Sequence, residues 1–223
     1  MNRRAIAATG VSTVALGAAV AAWWYTDSAP YPYAQRRLLD LPLPFLTGSR
    51  LDAILDARPG ERLLEIGPGT GLQALRVAGQ LGGGGRLDIV DIQPEMLDHV
   101  MRRACDQDIQ SIFPATADAR ELPFPDGTFD AAYLVTVLGE IPDPAAAVRE
   151  LRRVLKPSGR LVVGEFFDRH YVPPVDLLRY GSAAGLLLSA RLGPPLAYLA
   201  RLRPAAEPGC GEPLSPAGLA GRR

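Results

Sequence analysis

In the first half of the core, stretches with the apolar pattern of a strand are followed in turn by stretches with the apolar pattern of a helix. Short apolar runs at residues 62–66 (RLLEI) and 86–92 (RLDIVDI) predict strands, and residues 70–81 and 94–104 predict the helices that follow them. One face of the second helix carries apolar residues at helical spacing: Leu97, Val100, Met101 and Ala104. This repeated order predicts a mostly parallel sheet with helices on both faces.

The second half of the core continues this pattern. Residues 129–138 (FDAAYLVTVL) contain a predicted strand, and residues 143–155 predict a helix with Asp143 as its N-cap and Pro144 in its first turn. Residues 156–159 (KPSG) end that helix, and residues 159–167 (GRLVVGEFF) predict the next strand. Ligands of such a sheet bind at the carboxyl ends of the strands.

The two ends of the chain differ from the core. Residues 5–25 form an uncharged apolar run about long enough to cross a ~30 Å hydrocarbon layer, and Trp23, Trp24 and Tyr25 close it. We interpret residues 1–29 as a membrane-anchor-like segment with a hydrophobic helix, the alternatives being a cleaved secretory signal or a buried Ala-rich helix. The proline-rich residues 30–49 are a predicted linker or lid, and residues 204–223 are a predicted disordered tail.

Charge and cysteine content narrow the range of partners. The chain of 223 residues has 24 basic and 24 acidic residues, a balance that does not indicate a nucleic-acid partner. Cys105 and Cys210 have neither CxxC nor Cys/His spacing, so they indicate neither a disulfide framework nor a zinc site. His, Cys and carboxylate residues show no other metal-ligand spacing, and we expect no metal.

The stretch LLEIGPGTG, residues 63–71, leads from a strand through Glu65 into a glycine-rich turn and a helix. Alternating glycines let a ligand approach the backbone closely, and the positive N-terminus of the helix favours a carboxylate. A P-loop would need a lysine here, and none is near; this disfavours a nucleoside triphosphate. The dinucleotide motif GxGxxG would need glycine at position 72, where Leu72 stands, so NAD is less favoured but stays open.

An acid at the end of the second predicted strand, Asp91, is the other sign of a nucleoside site. A carboxylate there can accept two hydrogen bonds at once from vicinal ribose hydroxyls. This position alone leaves NAD and other nucleoside cofactors open.

These motifs, in this order, resemble the class I S-adenosylmethionine-dependent methyltransferases, particularly the branch of the ubiquinone and menaquinone C-methyltransferases. Besides the glycine turn, the matching stretches are IVDIQPEML (89–97), ATADARELPFPDGTFDAAYLVTVLGEI (115–141) and ELRRVLKPSGRLVVGEF (150–166). The resemblance covers about residues 50–203, the expected methyltransferase domain. It implies a Rossmann-like seven-stranded sheet in the order 3-2-1-4-5-7-6, with residues 183–204 forming the final antiparallel pair.

The resemblance implies S-adenosylmethionine as the cofactor. It places Asp91 on the ribose hydroxyls and Asp118 opposite the adenine amino group. The other cofactor contacts expected are Glu65, Gly67, Pro68, Gly69, Gly71, Ile92, Ala119 and Val135.

Three polar residues that follow the fourth and fifth strands are candidates for catalysis: Glu140, His170 and Tyr171. A place in a solvent-facing loop is the alternative for each. Methyl transfer from a sulfonium is a direct displacement, so a base is needed only if the acceptor carries an acidic proton.

The expected function is therefore methyl transfer to a small acceptor that is apolar or membrane-associated, such as a lipid or a quinone-like molecule. Because the donor is made in the cytosol, we expect the catalytic domain on the cytoplasmic side of the membrane. The alternatives are an NAD(P)-dependent Rossmann oxidoreductase and a catalytically silent S-adenosylmethionine-binding protein.

Overall fold

The computed structural model describes residues 30–34, 36 and 46–205. The helices are α1 (Gly48–Leu55), α2 (Leu72–Gln80), α3 (Pro94–Asp106), α4 (Pro144–Val154) and α5 (Pro174–Ala183), and a 3-10 turn spans Leu138–Glu140. The strands are β1 (Arg62–Ile66), β2 (Arg86–Asp91), β3 (Ile112–Thr116), β4 (Phe129–Val135), β5 (Leu155–Phe166), β6 (Leu186–Leu192) and β7 (Ala197–Pro204).

The predicted N-terminal hydrophobic helix and residues 206–223 of the predicted tail lie outside the described residues. Within residues 30–34, 36 and 46–205, no helix combines the length and the apolar character needed to cross a membrane.

The described strands form a seven-stranded sheet in the order β3-β2-β1-β4-β5-β7-β6, which confirms the predicted order. Strands β1 to β5 are parallel, whereas β7 pairs antiparallel with both β5 and β6. Because β2 and β4 flank β1, the turns that follow these three strands meet at one edge of the sheet.

Both faces of the sheet are covered by helices, as predicted. Alternate residues of β1 enter different cores: Leu63 packs with α1, α2 and α3, and Leu64 packs with α4 and α5. The side chain of Glu65 belongs to the same face as Leu63 and Tyr133, under the three N-terminal helices. This acid therefore lies in the interior rather than at the surface.

Several elements agree closely with the sequence pattern. Strand β1 has the predicted bounds, 62–66, and α3 buries Leu97, Val100 and Ala104 from its predicted apolar face. The Asp143 carboxylate accepts a hydrogen bond from the Ala146 N–H at 2.9 Å, which confirms the predicted N-cap of α4.

Other elements differ from the pattern. Strand β5 begins at Leu155 rather than Gly159, because pairing with β4 shifts from Phe129↔Leu155 to Ala131↔Arg160 and residues 156–159 form a bulge. Strand β3 contains Pro114, which it tolerates because it is an edge strand of the described sheet and pairs there with β2 alone.

The buried Arg160 fixes the chain between α1 and β1. Its guanidinium donates to both carboxylate oxygens of Glu61, at 2.9 and 2.6 Å, and to the carbonyls of Leu55 and Asp56. A buried charge is stable only when it is paired in this way. This contact holds α1 against the start of the parallel sheet.

Candidate functional site

The glycine turn between β1 and α2 requires the absence of side chains. Gly67, Gly69 and Gly71 have φ of 64°, 54° and 83°, which L side chains rarely adopt. A Cβ atom on Gly67 would lie 2.6 Å from Cγ2 of Val137. The Gly67 N–H donates to the Val90 carbonyl at 2.8 Å, so the turn is fixed to the end of β2.

The turn then leads into the N-terminus of α2. The Gly71 N–H donates to the carbonyl of the buried Pro68 at 2.8 Å, and α2 begins at Leu72. The first N–H groups of a helix have no partner within the helix, and they carry its positive end. The edge of the sheet thus offers donors for an anionic group next to the glycines.

Glu65 lies beneath this turn rather than at its surface. Its side chain is 3% exposed, and Oε2 accepts a hydrogen bond from the Tyr133 hydroxyl at 2.8 Å. Burial raises the pKa of Glu65 to about 8, and the negative charge of Asp91 also raises it. The acid is therefore largely protonated at neutral pH, and its predicted contact with the cofactor stays a prediction.

Asp91 lies at the carboxyl end of β2, half-buried beside the glycine turn. Its Oδ1 accepts a hydrogen bond from the Gln93 N–H at 2.9 Å, and its own carbonyl accepts one from Ala117 at 3.2 Å. Burial raises the pKa of the Asp91 carboxyl. The next residue, Ile92, is 55% exposed and offers an apolar surface at the same edge.

Asp118 follows β3 and is paired within its own loop. Both of its carboxylate oxygens are bound by the Arg120 guanidinium, at 3.0 and 2.6 Å, and Oδ1 also accepts from the Arg120 N–H. These hydrogen bonds lower the pKa of Asp118. Ala119 is buried. The contact of Asp118 with an adenine amino group stays a prediction. In that contact, the amino group and Arg120 would share the Asp118 carboxylate.

The predicted catalytic residues lie together after β4 and β5. Glu140 accepts a hydrogen bond at Oε2 from the Tyr31 N–H, at 3.1 Å. Gly139 packs so closely on His170 that a Cβ atom there would overlap the His170 carbonyl. The Tyr171 hydroxyl donates to the Pro195 carbonyl, and burial raises the pKa of Tyr171. Their catalytic roles stay predictions.

Val135, a predicted cofactor contact, ends β4 and packs next to Gly164 of β5. Thr136 follows it with a positive φ of 57°, which is uncommon for a residue other than glycine. Its N–H donates to the Gly164 carbonyl at 2.7 Å and so fixes the backbone where β4 leaves the sheet.

One residue near this edge is not indicated by the sequence. Glu165 is buried near the end of β5, where GEFF reads only as a strand, and its Oε2 accepts from the Val172 N–H at 3.3 Å. Its Oε1 has no hydrogen-bond partner among the described residues. Burial raises the pKa of Glu165 to about 8, and the nearby charges of Asp168 and Glu140 also raise it. Only the fold could reveal these neighbours.

The donor set of this edge fits S-adenosylmethionine. A half-buried carboxylate, Asp91, stands beside a glycine turn and the positive end of a helix, as a nucleoside with an amino-acid tail requires. Leu72 begins α2 where a dinucleotide site would have its third glycine. Within the described residues, no group of His, Cys, Asp and Glu could hold a metal ion.

Comparison with known proteins finds a family match and relatives for the parallel part of this sheet. Residues 64–163 match the family described as "Methyltransferase domain". The chain is 34% identical over 145 residues to the 27-O-demethylrifamycin SV methyltransferase of Amycolatopsis mediterranei (strain S699). This aligned region covers 65% of this chain and 49% of the relative. It is 39% identical over 114 residues to the ubiquinone/menaquinone biosynthesis C-methyltransferase UbiE of Cellvibrio japonicus (strain Ueda107), covering 51% of this chain and 46% of that protein.

The chain thus spans about half the length of each of these two relatives. Among solved structures, a SAM-dependent methyltransferase from Aquifex aeolicus superimposes with a TM-score of 0.68 at 18% identity, over 77% of this chain and 97% of that one. At this identity the likeness shows the fold alone. Together with the family match over residues 64–163 and the two relatives, it shows that the chain is similar to S-adenosylmethionine-dependent methyltransferases.

Proposed function

We propose that this protein transfers the methyl group of S-adenosylmethionine to a small apolar or membrane-associated acceptor. The choice of S-adenosylmethionine as the methyl donor is supported by the carboxylate of Asp91, which lies beside the glycine turn at the carboxyl edge of a sheet that matches the methyltransferase domain. S-adenosylmethionine, when bound, supplies a methyl group on a positively charged sulfur. An acceptor nucleophile would take this group by direct displacement, in which its bond to the methyl carbon forms as the sulfur–carbon bond breaks and neutral S-adenosylhomocysteine leaves.

The residues of the chain would act by holding the donor in place. Asp91 would accept hydrogen bonds from the ribose hydroxyls, and the N–H groups that begin α2 would bind the carboxylate of the donor. The exposed side chain of Ile92 would cover one face of the adenine ring of the donor. Alignment of this kind and exclusion of water account for most of the catalysis that a displacement needs.

The surface after β5 supports an apolar acceptor. Phe167 is 54% exposed and Leu196 is 55% exposed, and the Phe167 N–H donates to the Leu196 carbonyl at 2.8 Å, which keeps them adjacent. The ring of Tyr171 packs edge-on against Phe167 at 5.9 Å. Adjacent exposed apolar side chains at the carboxyl edge of the sheet, where ligands of this fold bind, suit an apolar acceptor. One relative is named for ubiquinone and menaquinone biosynthesis and the other for a rifamycin, and on this basis we propose a quinone-like acceptor.

The membrane part of the proposal rests on the sequence. Residues 5–25 are an uncharged run closed by aromatic residues, and we propose that they hold the enzyme at the membrane with its catalytic domain on the cytoplasmic side. Tyr31, which contacts Glu140 at the site, follows Tyr25 by six residues. A chain of that length spans at most about 20 Å, so an anchored run would hold the site close to a membrane-dissolved acceptor.

A deletion tests the anchor and the acceptor together. Removal of residues 1–29 is expected to move the protein from the membrane fraction to the soluble fraction and to leave binding of S-adenosylhomocysteine intact. With labelled S-adenosylmethionine, the deleted form should methylate a lipid extract dispersed in detergent about as well as the full chain. On the same lipids in vesicles it should be slower, because anchoring raises the local enzyme concentration.

Two controls complete this experiment. Full-length Asp91→Ala should stay in the membrane fraction but lose methyl transfer, which separates anchoring from donor binding. A full-length protein found in the soluble fraction, or one whose N-terminus is cleaved and exported, would contradict the anchor. Label that enters only water-soluble molecules would contradict an apolar acceptor.

A further inference from the structure

Residues 30–34, here called the strap, lie across the carboxyl edge of the sheet. The Tyr31 N–H donates to Oε2 of Glu140 at 3.1 Å, and the Tyr31 carbonyl accepts from Nε2 of Gln93 at 2.9 Å. Gln93 follows β2 and Glu140 follows β4, and these strands flank β1. The backbone of Tyr31 therefore bridges the gap in front of β1, where the chain enters the glycine turn.

Tyr33 attaches the strap to α3 as well. Its ring packs edge-on against His99 at 6.3 Å, and its hydroxyl accepts from the Arg102 guanidinium at 3.4 Å. Arg36 lies 4.2 Å above the same ring and donates to the Tyr33 carbonyl at 3.3 Å. A weak set of surface contacts of this kind can open and close easily.

Both partners of Tyr31 also belong to the walls of the donor site. The backbone N–H of Gln93 donates to the Asp91 carboxylate at 2.9 Å, so one residue holds the proposed ribose ligand and the strap. Glu140 ends the turn that follows Val137, whose side chain fills the space next to Gly67. The strap thus contacts residues on both sides of the site.

We propose that the strap is the outer wall of the donor site and that Gln93 and Glu140 are positioning residues which hold it closed. This inference rests on the proposed function. Opening requires at least the loss of the two hydrogen bonds of the Tyr31 backbone, after which the donor and its product can enter or leave. A closed strap would exclude water during methyl transfer, and its opening would limit product release.

This arrangement gives Glu140 a role other than proton transfer. While the strap is closed, its Oε2 is engaged by a backbone N–H and acts as a hydrogen-bond acceptor. An amide oxygen can accept the same bond, so Glu140→Gln is expected to keep the strap, whereas Glu140→Ala removes the acceptor. Gln93→Ala removes the other bond and leaves the Gln93 backbone bond to Asp91 in place.

Hydrogen–deuterium exchange of the full chain in detergent tests the strap without any catalytic assay. A peptide that contains Tyr31 is expected to exchange about tenfold faster in Glu140→Ala than in the wild type, because one hydrogen bond of ordinary net strength is lost. Gln93→Ala should open the strap to a similar extent. Glu140→Gln and the surface control Glu95→Ala should exchange as the wild type does.

Dissociation of S-adenosylhomocysteine in stopped-flow measurements tests the gate itself. Both alanine variants are expected to release it about tenfold faster, and association should also be faster, so the Kd changes less than either rate. Equal exchange in Glu140→Ala, Gln93→Ala and the wild type would contradict the strap. Faster exchange with unchanged dissociation would contradict the gate alone, and absence of S-adenosylhomocysteine binding by the wild type would refute the proposed function and the gate together.

Discussion

Replacement of Asp91 by alanine is expected to weaken binding of S-adenosylmethionine by about 2 to 4 kcal/mol, because two charge-assisted hydrogen bonds to the ribose hydroxyls would be lost. The carboxylate is half-buried at the end of β2 and is oriented by the Gln93 N–H at 2.9 Å. Preorganisation of this kind makes its removal costly. Calorimetric titration of the variant with S-adenosylhomocysteine measures the loss.

Matched variants separate this effect from a loss of folding. Asp91→Asn keeps the shape and one acceptor oxygen, so its affinity should lie between those of the wild type and Asp91→Ala. Asp98→Ala removes an exposed carboxylate from the middle of α3 and should leave affinity unchanged. An unaltered affinity in a folded Asp91→Ala variant would show that Asp91 is not the ribose ligand.

Glu65→Gln is expected to stabilise the protein at alkaline pH. The folded-state pKa of Glu65 is about 8, above its ordinary value of 4.5, so the folded state binds this proton more tightly than the unfolded state does. The free energy of unfolding therefore falls as pH rises from about 4.5 to 8. Each pKa unit corresponds to about 1.4 kcal/mol, so the expected loss is on the order of a few kcal/mol.

The glutamine variant removes this loss and keeps the hydrogen bond from the Tyr133 hydroxyl, which an amide oxygen can also accept. Urea unfolding at pH 6 and at pH 9 should show a smaller fall in stability for Glu65→Gln than for the wild type. Some fall should remain, because burial also raises the pKa of Glu165 to about 8. Exposed Glu95→Gln is the control. A variant less stable than the wild type at pH 9 would contradict the buried, protonated state of Glu65.

The parallel core of the sheet could be predicted because its signals are local. Strand β1 and the glycine turn occupy neighbouring positions, and the cap of α4 lies within four residues of its partner, so pattern and spacing locate them. The order of the strands came from the family resemblance. It cannot be derived from periodicity, because β7, the sheet neighbour of β5, is separated from it in the sequence by α5 and β6.

The remaining features depend on contacts between distant residues. Tyr31 and Glu140 are 109 positions apart, so no local pattern indicates that one holds the other. Pro114 suggests a break in a strand, and only its place at the sheet edge explains why β3 forms there. Glu165 looks like an ordinary strand residue until the loop that contains Val172 encloses it. Sequence patterns therefore predicted the glycine turn and the end of β2 well, and the contacts around them poorly.

Donor specificity is the most direct test of the account. We expect calorimetric titration of the full-length protein to give one site per chain for S-adenosylmethionine and for S-adenosylhomocysteine, and no heat with NAD. Leu72 in place of the third dinucleotide glycine and Asp91 beside the turn are the reasons for this expectation. Binding of NAD without any response to S-adenosylmethionine or S-adenosylhomocysteine would contradict the proposed function.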